Sequence, residues 1–259
     1  MNWDKLLGLP PIASVQARNV DNMIIWVHWL MIALFVGWLG YFAYTLIRFR
    51  RARNPRADHA GVRSHASNYL ELLVAIIEGV LLIGVAIPFW AMAVDKFPQP
   101  SESTVIQVVA QQFAWNVRYP GKDGVFGKQD MTYVTSENVF GVDPKDPSGK
   151  DDVQTLNEIH VPLVRRADGS FKPVIIYVSS KDVIHSFKVI ALRLTQDAIP
   201  GLRIPVWFTP TTEGRYQINC AQLCGNGHSS MAQGFLTVES PEAYDKWLAS
   251  KAGAATSFE

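Results

Sequence analysis

The sequence predicts two transmembrane helices followed by an all-β domain, either a sandwich or a small barrel. Two long apolar runs lie before residue 98, and short runs rich in Val, Ile, Tyr, Phe and Trp follow from residue 99. The only two cysteines lie four residues apart in a single loop. With a formal net charge of +1 over 259 residues, the chain has no overall field that would attract nucleic acid.

The two apolar runs predict a transmembrane hairpin over residues 24–98. Residues 24–47 carry no formal charge and would span roughly 36 Å as a helix, which is more than a ~30 Å hydrocarbon core requires. Residues 70–94 form a second run of similar length, and its only charges are Glu71 and Glu78. Both runs are too long for the apolar segment of a signal sequence. A buried helix of a soluble protein is the alternative for either run.

The link between the runs predicts the orientation in the membrane. It carries six arginines against one acid, Asp58, whereas the outer flanks are nearly balanced in charge. Under the positive-inside rule the link is cytoplasmic, so both termini lie outside and residues 1–23 form an outer N-terminal tail. Trp26, Trp29 and Trp90 then fall near the outer interface. The six arginines are Arg48, Arg50, Arg51, Arg53, Arg56 and Arg63.

Residues 99–251 predict the β-domain, because they contain seven short β-rich runs bounded by turn formers. The polar segment 121–160 is interpreted as a hairpin insertion, since its acids lack the spacing of a calcium loop. Residues 240–251 predict a closing helix with Ser240 as its N-cap, and residues 252–259 a frayed tail. The seven runs are STVIQVVA, FAWNVRY, KPVIIYVSS, DVIHSFKVIA, RIPVWFTP, GRYQINC and GFLTVES.

Cys220 and Cys224 are the most informative residues of the sequence. In an oxidising compartment two neighbouring cysteines normally form a disulfide, and that alternative stays open. His228 and Met231 follow in the same loop, however, and two glycines allow this loop to fold tightly. His185, on the predicted strand DVIHSFKVIA, offers a second imidazole.

These side chains form a soft donor set. Zinc would accept the thiolates and an imidazole, but a thioether suits copper better. A mononuclear blue-copper site uses a single cysteine, so this chain has one cysteine too many for it. Two thiolates that bridge two copper ions would use the surplus. We therefore expect a site without an open coordination position, which relays electrons and makes no covalent bonds.

The loop CAQLCGNGHSSM resembles the CuA-binding loop of cytochrome c oxidase subunit II, and DVIHSF resembles the strand that carries the first histidine ligand of that family. The similarity runs from about residue 22 to residue 251 and includes the two-span hairpin. It implies a cupredoxin-like Greek-key β-sandwich that holds a binuclear copper centre, CuA. The ligands implied by the resemblance are His185, Cys220, Cys224, His228, Met231 and the backbone carbonyl of Gln222.

The resemblance also implies where electrons enter. The aromatic cluster of the family corresponds to QQFAWNVRYPG, with Phe113 in place of the surface tryptophan and Trp115 retained. Near them in the sequence stand Arg118, Lys122 and Lys128 in place of an acidic docking patch. The donor implied is a c-type cytochrome, either soluble or as a membrane-bound domain. The chain has no CxxCH motif and so predicts no c-type haem of its own.

Three further residues are given expected roles. Glu71 matches a family carboxylate at the mouth of a proton path into subunit I. The family pattern does not require an acid at position 78, but Glu78 lies two turns further along on the same helix face, and we expect it to extend that path. Asp197, in the stretch QDAIPG, is expected near the subunit I interface. In the family a glutamate at position 222 often helps to hold magnesium, so Gln222 weakens the expectation of that ion.

The function expected is that of subunit II of a respiratory cytochrome c oxidase in a bacterial plasma membrane. CuA would accept single electrons on the periplasmic face and pass them to haem in subunit I, which carries CuB and reduces oxygen while protons are translocated. Subunit III is a further expected partner. A quinol oxidase subunit should lack the ligands, and a copper-storage module would need exchangeable ones. A nitric oxide reductase with a similar copper loop remains an alternative.

Overall fold

The computed structural model describes residues 3–56, 59–61 and 64–252. It divides into two compact units, residues 1–7 with 19–96 and residues 8–18 with 97–259. The first unit is helical and the second is a β-sandwich, which confirms the predicted fold class. Asp58 and Arg63 of the link, and residues 253–259 of the expected tail, lie outside the described residues.

The helical unit contains two helices that are long and apolar enough to cross a membrane. A short helix α1 (Trp3–Leu6) precedes α2 (Val15–Arg48), which covers the first predicted span and begins well before it. The second span runs over Ala66–Val94. No part of the apolar window of either helix is buried, so this surface needs lipid or another membrane protein to cover it.

The second span changes its helical geometry ahead of a proline. It consists of α3 (Ala66–Leu81), a π-helical turn (Leu82–Ala86) and α4 (Ile87–Val94). Pro88 has no N–H, and in a regular α-helix its ring would clash with the carbonyl four residues earlier. The chain widens instead, and the N–H of Ile87 donates to the carbonyl of Leu82, five residues back.

The β-sandwich consists of two mixed five-stranded sheets. The strand order is β3-β2-β1-β5-β8 in the first sheet and β4-β10-β9-β6-β7 in the second. The β1–β5 and β4–β10 pairs are parallel, and the other pairs are antiparallel. The strands are β1 (Thr104–Gln111), β2 (Ala114–Tyr119), β3 (Val153–Leu156), β4 (Glu158–Pro162), β5 (Val174–Ser180), β6 (His185–Val189), β7 (Leu194–Ala198), β8 (Ile204–Phe208), β9 (Gly214–Cys220) and β10 (Phe235–Glu239).

All seven predicted runs form strands, and three strands were not predicted. β3, β4 and β7 are only four or five residues long, and polar residues make up two or three positions of each, so their apolar signal is weak. β3 and most of β4 fall inside the segment 121–160, where they pair with β2 and β10. The closing helix forms as α5 (Pro241–Lys251), and the Ser240 side chain accepts a hydrogen bond from the N–H of Ala243.

One hydrophobic cluster fills the sandwich. Inward positions alternate along the strands with outward ones, as a two-layer β-structure requires. Trp115 from β2 and Phe187 from β6 are fully buried and meet edge to face, with ring centroids 5.3 Å apart. Phe208 from β8 is also fully buried. The core therefore joins both sheets through its largest side chains.

Residues 8–18 pack onto the β-sandwich and do not form a separate tail. The N–H of Ala13 donates to the carbonyl of Ala191, and the carbonyl of Ala13 accepts from Thr211, both at 2.9 Å. The Ser14 hydroxyl donates to the carbonyl of Leu192 at 2.8 Å. Ala13, Ser14 and Ala17 are fully buried. A truncated β-domain that starts at residue 97 would lack these contacts.

A buried ion pair holds the loop that follows β2. The Arg118 guanidinium and the Asp152 carboxylate form a salt bridge, and both side chains are almost completely buried. Arg118 also donates to the carbonyl of Gly127 at 2.9 Å. The rings of Phe126 and Phe140 lie within 6 Å of the guanidinium carbon. Arg118 is thus a core residue that fixes the loop between β2 and β3.

We expect Asp152→Asn to destabilise the β-domain by about 3–5 kcal/mol, because it leaves the Arg118 charge buried without its counter-ion. The double variant Arg118→Met/Asp152→Leu should lose less stability than Asp152→Asn, since it removes both charges together. Urea unfolding of the full chain in detergent, followed by tryptophan fluorescence, measures both effects. Lys150→Gln, on the exposed surface of the same loop, is the control. A loss from Asp152→Asn as small as that of the control would contradict the assignment.

Candidate metal centre

The centre is built where the end of β9 meets the start of β6. Cys220 is the last residue of β9, and the loop after it carries Cys224. β6 runs antiparallel to β9 with Phe187 opposite Cys220. His185, two residues before Phe187, therefore lies beyond the end of the ladder, beside the loop. His228 begins the short 3-10 helix that follows.

Three metal-binding atoms of this region lie close together. One ligand atom each from His185, Cys220 and Cys224 falls within 4.8 Å of the others. The two sulfur atoms are 3.9 Å apart, and both cysteines are free thiols. A typical metal–thiolate bond is ~2.3 Å, so one ion can reach both sulfurs. The sequence alternative of a disulfide is not what the structure contains.

His185 has one ring nitrogen without a partner. Its side chain is fully buried, and Nδ1 makes no hydrogen bond with any residue that the structure describes. Nε2 is 2.9 Å from Oδ1 of Asp182. A buried nitrogen left unpaired is costly unless a metal uses its lone pair. A carboxylate on the other nitrogen is the usual way to orient a histidine ligand. These residues fit a metal site.

The other three predicted ligands lie in the stretch of chain that follows Cys220. Nδ1 of His228 is 3.4 Å from Sγ of Cys224. The backbone carbonyl of Gln222 is 3.0 Å from Sγ of Cys220, while the residue itself is exposed. Met231 is fully buried in the 3-10 helix that begins at His228.

The protein environment keeps Cys224 protonated at neutral pH when no metal is present. Burial and, next, the neighbouring Cys220 raise the pKa of the Cys224 thiol to about 11. A thiolate ligand must lose its proton, so metal binding at these cysteines releases protons and is favoured by higher pH.

Phe113 lies directly against the metal-binding loop. A Cβ built on Gly225 would be 3.1 Å from Cζ of the Phe113 ring, and one built on Gly227 would overlap that ring. Gly225 also has φ of +136°, a backbone conformation that favours glycine. The loop therefore needs glycine at both positions to close over Phe113, which is half-buried.

Trp115 lies behind the centre in the core. Its ring centroid is 6.2 Å from that of His185, and its indole N–H donates to the carbonyl of Met231 at 2.9 Å. Trp115 thus contacts one predicted ligand and bonds to the backbone of another. Of the cations considered near the aromatic pair, Lys122 and Lys128 are exposed. Arg118 is fully buried, so counting it with that surface was wrong.

Two polar residues that support the centre were not predicted from the sequence. Asp182 accepts through Oδ2 from the N–H of Gln112 at 2.7 Å, besides its contact with His185. The Gln112 side chain donates to the carbonyl of Cys224 at 2.7 Å. Asp182 stands three residues before the candidate ligand His185, and this spacing could have identified it in the sequence as a supporting residue. Nothing local marks Gln112, because its partner is 112 residues away.

Asp197, Glu71 and Glu78 do not belong to the group of metal-binding atoms described above. Asp197 is in β7, opposite Ser186 and therefore next to the position of His185 in the ladder. Glu71 and Glu78 are exposed on α3. Their assigned contacts with a partner stay predictions.

Comparison with known proteins gives one family. The family described as "Cytochrome C oxidase subunit II, periplasmic domain" matches residues 104–238, more than half of the chain. This range contains all six predicted ligands.

Two relatives and one solved structure illustrate the similarity. The "Alternative cytochrome c oxidase subunit 2" of Bradyrhizobium diazoefficiens is 29% identical over 92% of this chain and 82% of its own length. The "Cytochrome c oxidase subunit 2" of Synechocystis sp. is 30% identical over 96% of this chain and 77% of its own. The crystal structure of the periplasmic domain of subunit II of cytochrome oxidase of Bradyrhizobium japonicum is 24% identical. It covers 60% of this chain and 96% of that domain, with a TM-score of 0.42.

We expect Asp182→Ala to weaken copper binding by about 10- to 100-fold, because it removes the group that orients His185. Competition with a chelator of known affinity measures the change, and the copper EPR spectrum reports the altered ligand geometry. Asp168→Ala removes a carboxylate from an exposed turn and is the matched control. An affinity equal to that of the control would show that Asp182 does not position the ligand.

We expect Gly227→Ala to cost about 1–3 kcal/mol of stability, since the added methyl overlaps the Phe113 ring. Combining it with Phe113→Val should recover part of the loss, because the smaller side chain leaves room. Thermal unfolding of the four chains of this cycle gives the coupling energy between the two positions. If the two substitutions change the free energy of unfolding additively, the Phe113 ring does not determine which residue the loop tolerates at position 227.

Proposed function

Because the chain belongs to the cytochrome c oxidase subunit II family, we propose that it is the subunit through which electrons enter a respiratory haem–copper oxidase. Its β-domain would hold a binuclear copper centre, CuA, and accept single electrons from a c-type cytochrome. The electrons would continue to haem in subunit I, where oxygen is reduced to water and protons are translocated.

The single observation that carries this proposal is the cluster of His185, Cys220 and Cys224. Two free thiols and an unpaired buried imidazole nitrogen lie close enough together to bind the same metal ion. His228, Met231 and the carbonyl of Gln222 would complete the ligand set. When bound at these residues, the copper ions would supply one-electron transfer.

The protein's own contribution is to hold these ligands still. Asp182 fixes the ring of His185, and Gln112 fixes the backbone at Cys224. Phe113 packs against the loop, and the Trp115 indole bonds to the backbone at Met231. A site whose ligands cannot rearrange loses little energy to reorganisation when its charge changes.

Phe113 and Trp115 are proposed as the route by which electrons reach the centre. Phe113 is partly accessible, while Trp115 is completely buried and packs against His185. The accessible ring would meet the donor, and the buried ring, which packs against His185, would pass the electron on to the ligands. The exposed side chain of Leu223, between the two cysteines, adds apolar surface close to the centre.

In the membrane, the proposed arrangement places the arginine-rich link on the cytoplasmic side and the β-domain outside. We propose subunits I and III as partners within the bacterial plasma membrane, with Asp197 at the subunit I interface. Glu71 would stand at the cytoplasmic mouth of a proton path. Gln222 presents a neutral amide where magnesium prefers carboxylate oxygen, so the proposal does not include that ion.

Copper loading of the full chain in detergent tests the proposal. The full chain is the appropriate sample, because residues 8–18 form part of the β-domain. We expect two copper ions per chain and an EPR spectrum whose hyperfine splitting comes from two equivalent coppers. Cys220→Ser should abolish that spectrum, whereas Ser229→Ala, at an exposed loop position, should keep it. Uptake of a single copper with a localised spectrum would refute the binuclear centre.

A further inference from the structure

The metal-binding loop contains Asn226 and Gly227, the one asparagine–glycine pair in the sequence. Such a pair is prone to lose the side-chain amide, because glycine has no Cβ to shield the backbone nitrogen that attacks the asparagine. Asn226 is exposed to solvent. The pair also lies between Cys224 and His228, two of the predicted ligands. A covalent change at Asn226 would therefore act directly on the metal centre.

Neither of the two groups that would react is held by a hydrogen bond. The side-chain amide of Asn226 and the N–H of Gly227 make no hydrogen bond with any residue that the structure describes. The two aspartates that precede a glycine, Asp123 and Asp168, are held differently. Each accepts through Oδ1 from the N–H two residues further on, at 2.8 Å, which fixes its side chain. The Asn226 side chain has no such restraint.

The packing of the loop requires glycine after Asn226 but holds the pair only weakly. A Cβ on Gly227 would overlap the Phe113 ring, so a residue that shields the backbone nitrogen does not fit there. The turn around the pair is closed by one backbone hydrogen bond, from the N–H of His228 to the carbonyl of Gly225 at 3.1 Å. A short exposed turn of this kind opens locally at low cost in free energy. Opening lets the backbone nitrogen approach the side chain.

We propose that Asn226 is a deamidation site through which the metal-free loop loses its ability to bind copper. This inference rests on the proposed function, since its consequence is measured on the copper centre. The backbone nitrogen of Gly227 forms a bond to Cγ of Asn226 while the Cγ–Nδ2 bond breaks, which releases ammonia and closes a succinimide ring. Water then opens the ring at either carbonyl carbon and gives aspartate or isoaspartate. The net reaction consumes water, releases ammonia and involves no oxidation or reduction.

The isoaspartate product changes the length of the loop. Its main chain runs through Cβ and Cγ, so one carbon, or about 1.5 Å, is added between Cys224 and His228. Metal sites hold their ligand distances within about 0.2 Å, so the lengthened loop should not keep both ligands on the centre. The aspartate product keeps the normal chain and should bind copper. In the loaded chain both ends of the turn would be ligands, so the turn should open less often and deamidate more slowly.

Ageing of the full chain in detergent tests the proposal. Metal-free and copper-loaded samples are incubated at mildly alkaline pH, the metal-free ones with a thiol reductant, and peptide mass spectrometry locates deamidation and separates aspartate from isoaspartate. Asn138 is the reference within the same molecule, because its side chain bonds twice to the backbone of Val142, at 2.9 Å each. Asn226→Gln, which closes the ring far more slowly, and Asn226→Asp, which copies the product of normal length, are the control variants.

We expect the metal-free chain to gain about 1 Da at Asn226 well before Asn138 changes, and faster at higher pH, because the attacking nitrogen must lose its proton. The two-copper EPR signal that aged samples give on loading should fall in proportion to their isoaspartate content. Asn226→Gln should keep the signal through the same incubation, and Asn226→Asp should give it from the start. The loaded native chain should deamidate more slowly than the metal-free one.

Deamidation of Asn226 no faster than that of Asn138 would overturn the proposal. So would a full two-copper signal from chains that carry isoaspartate at position 226, or equal rates of deamidation with and without copper. The unaged samples separate this proposal from the proposed function. An unaged native chain without a two-copper signal counts against the proposed function, whereas a normal signal that survives ageing in the metal-free state counts against the role of Asn226 alone.

Discussion

The antiparallel pairing of β6 with β9 is the constraint on which the metal centre depends. It sets Phe187 opposite Cys220, and the hydrogen bond from the N–H of Ala221 to the carbonyl of Ser186 continues the pairing beyond that position. His185 therefore lies close to Cys220 and to the loop that carries Cys224. Neighbouring strands lie ~4.8 Å apart, so side chains at the ends of two adjacent strands can place their ligand atoms within bonding distance of the same metal ion.

The rest of the sandwich makes that pairing rigid. Trp115 crosses from the first sheet to touch Phe187 and His185 of the second. Asp182 lies in the connection from β5 to β6, and so between the two sheets, and bonds to Gln112 and His185. Polar and apolar contacts thus hold one end of the sandwich together around the ligands. Such support is what distinguishes a fixed redox site from a surface pair of thiols.

The two units of the chain satisfy their polar side chains in different ways. In the β-domain the buried charge of Arg118 is matched by Asp152, and the buried Ser14 hydroxyl bonds to the backbone. In the spans, His28 and Thr45 bond to their own helix. The Glu78 carboxylate has neither an ion-pair partner nor a hydrogen bond among the described residues, and the apolar surface around it is also exposed. Both features are typical of a subunit that is completed by a membrane partner.

The sequence alone predicted the two long apolar helices, seven of the strands and the residues proposed as ligands, because apolar length, residue alternation and the cysteine loop are local signals. It did not identify β3, β4 and β7, because these strands are short and rich in polar residues. β3 and β4 are held in the sheets by β2 and β10, whereas β7 pairs with the preceding strand β6. Sequence reasoning grouped Arg118 with surface cations, since local sequence cannot show that Asp152 neutralises it in the core. Only the tertiary structure placed Gln112 and Asp182 around His185 and Cys224, because contacts between residues far apart in the chain arise from strand packing.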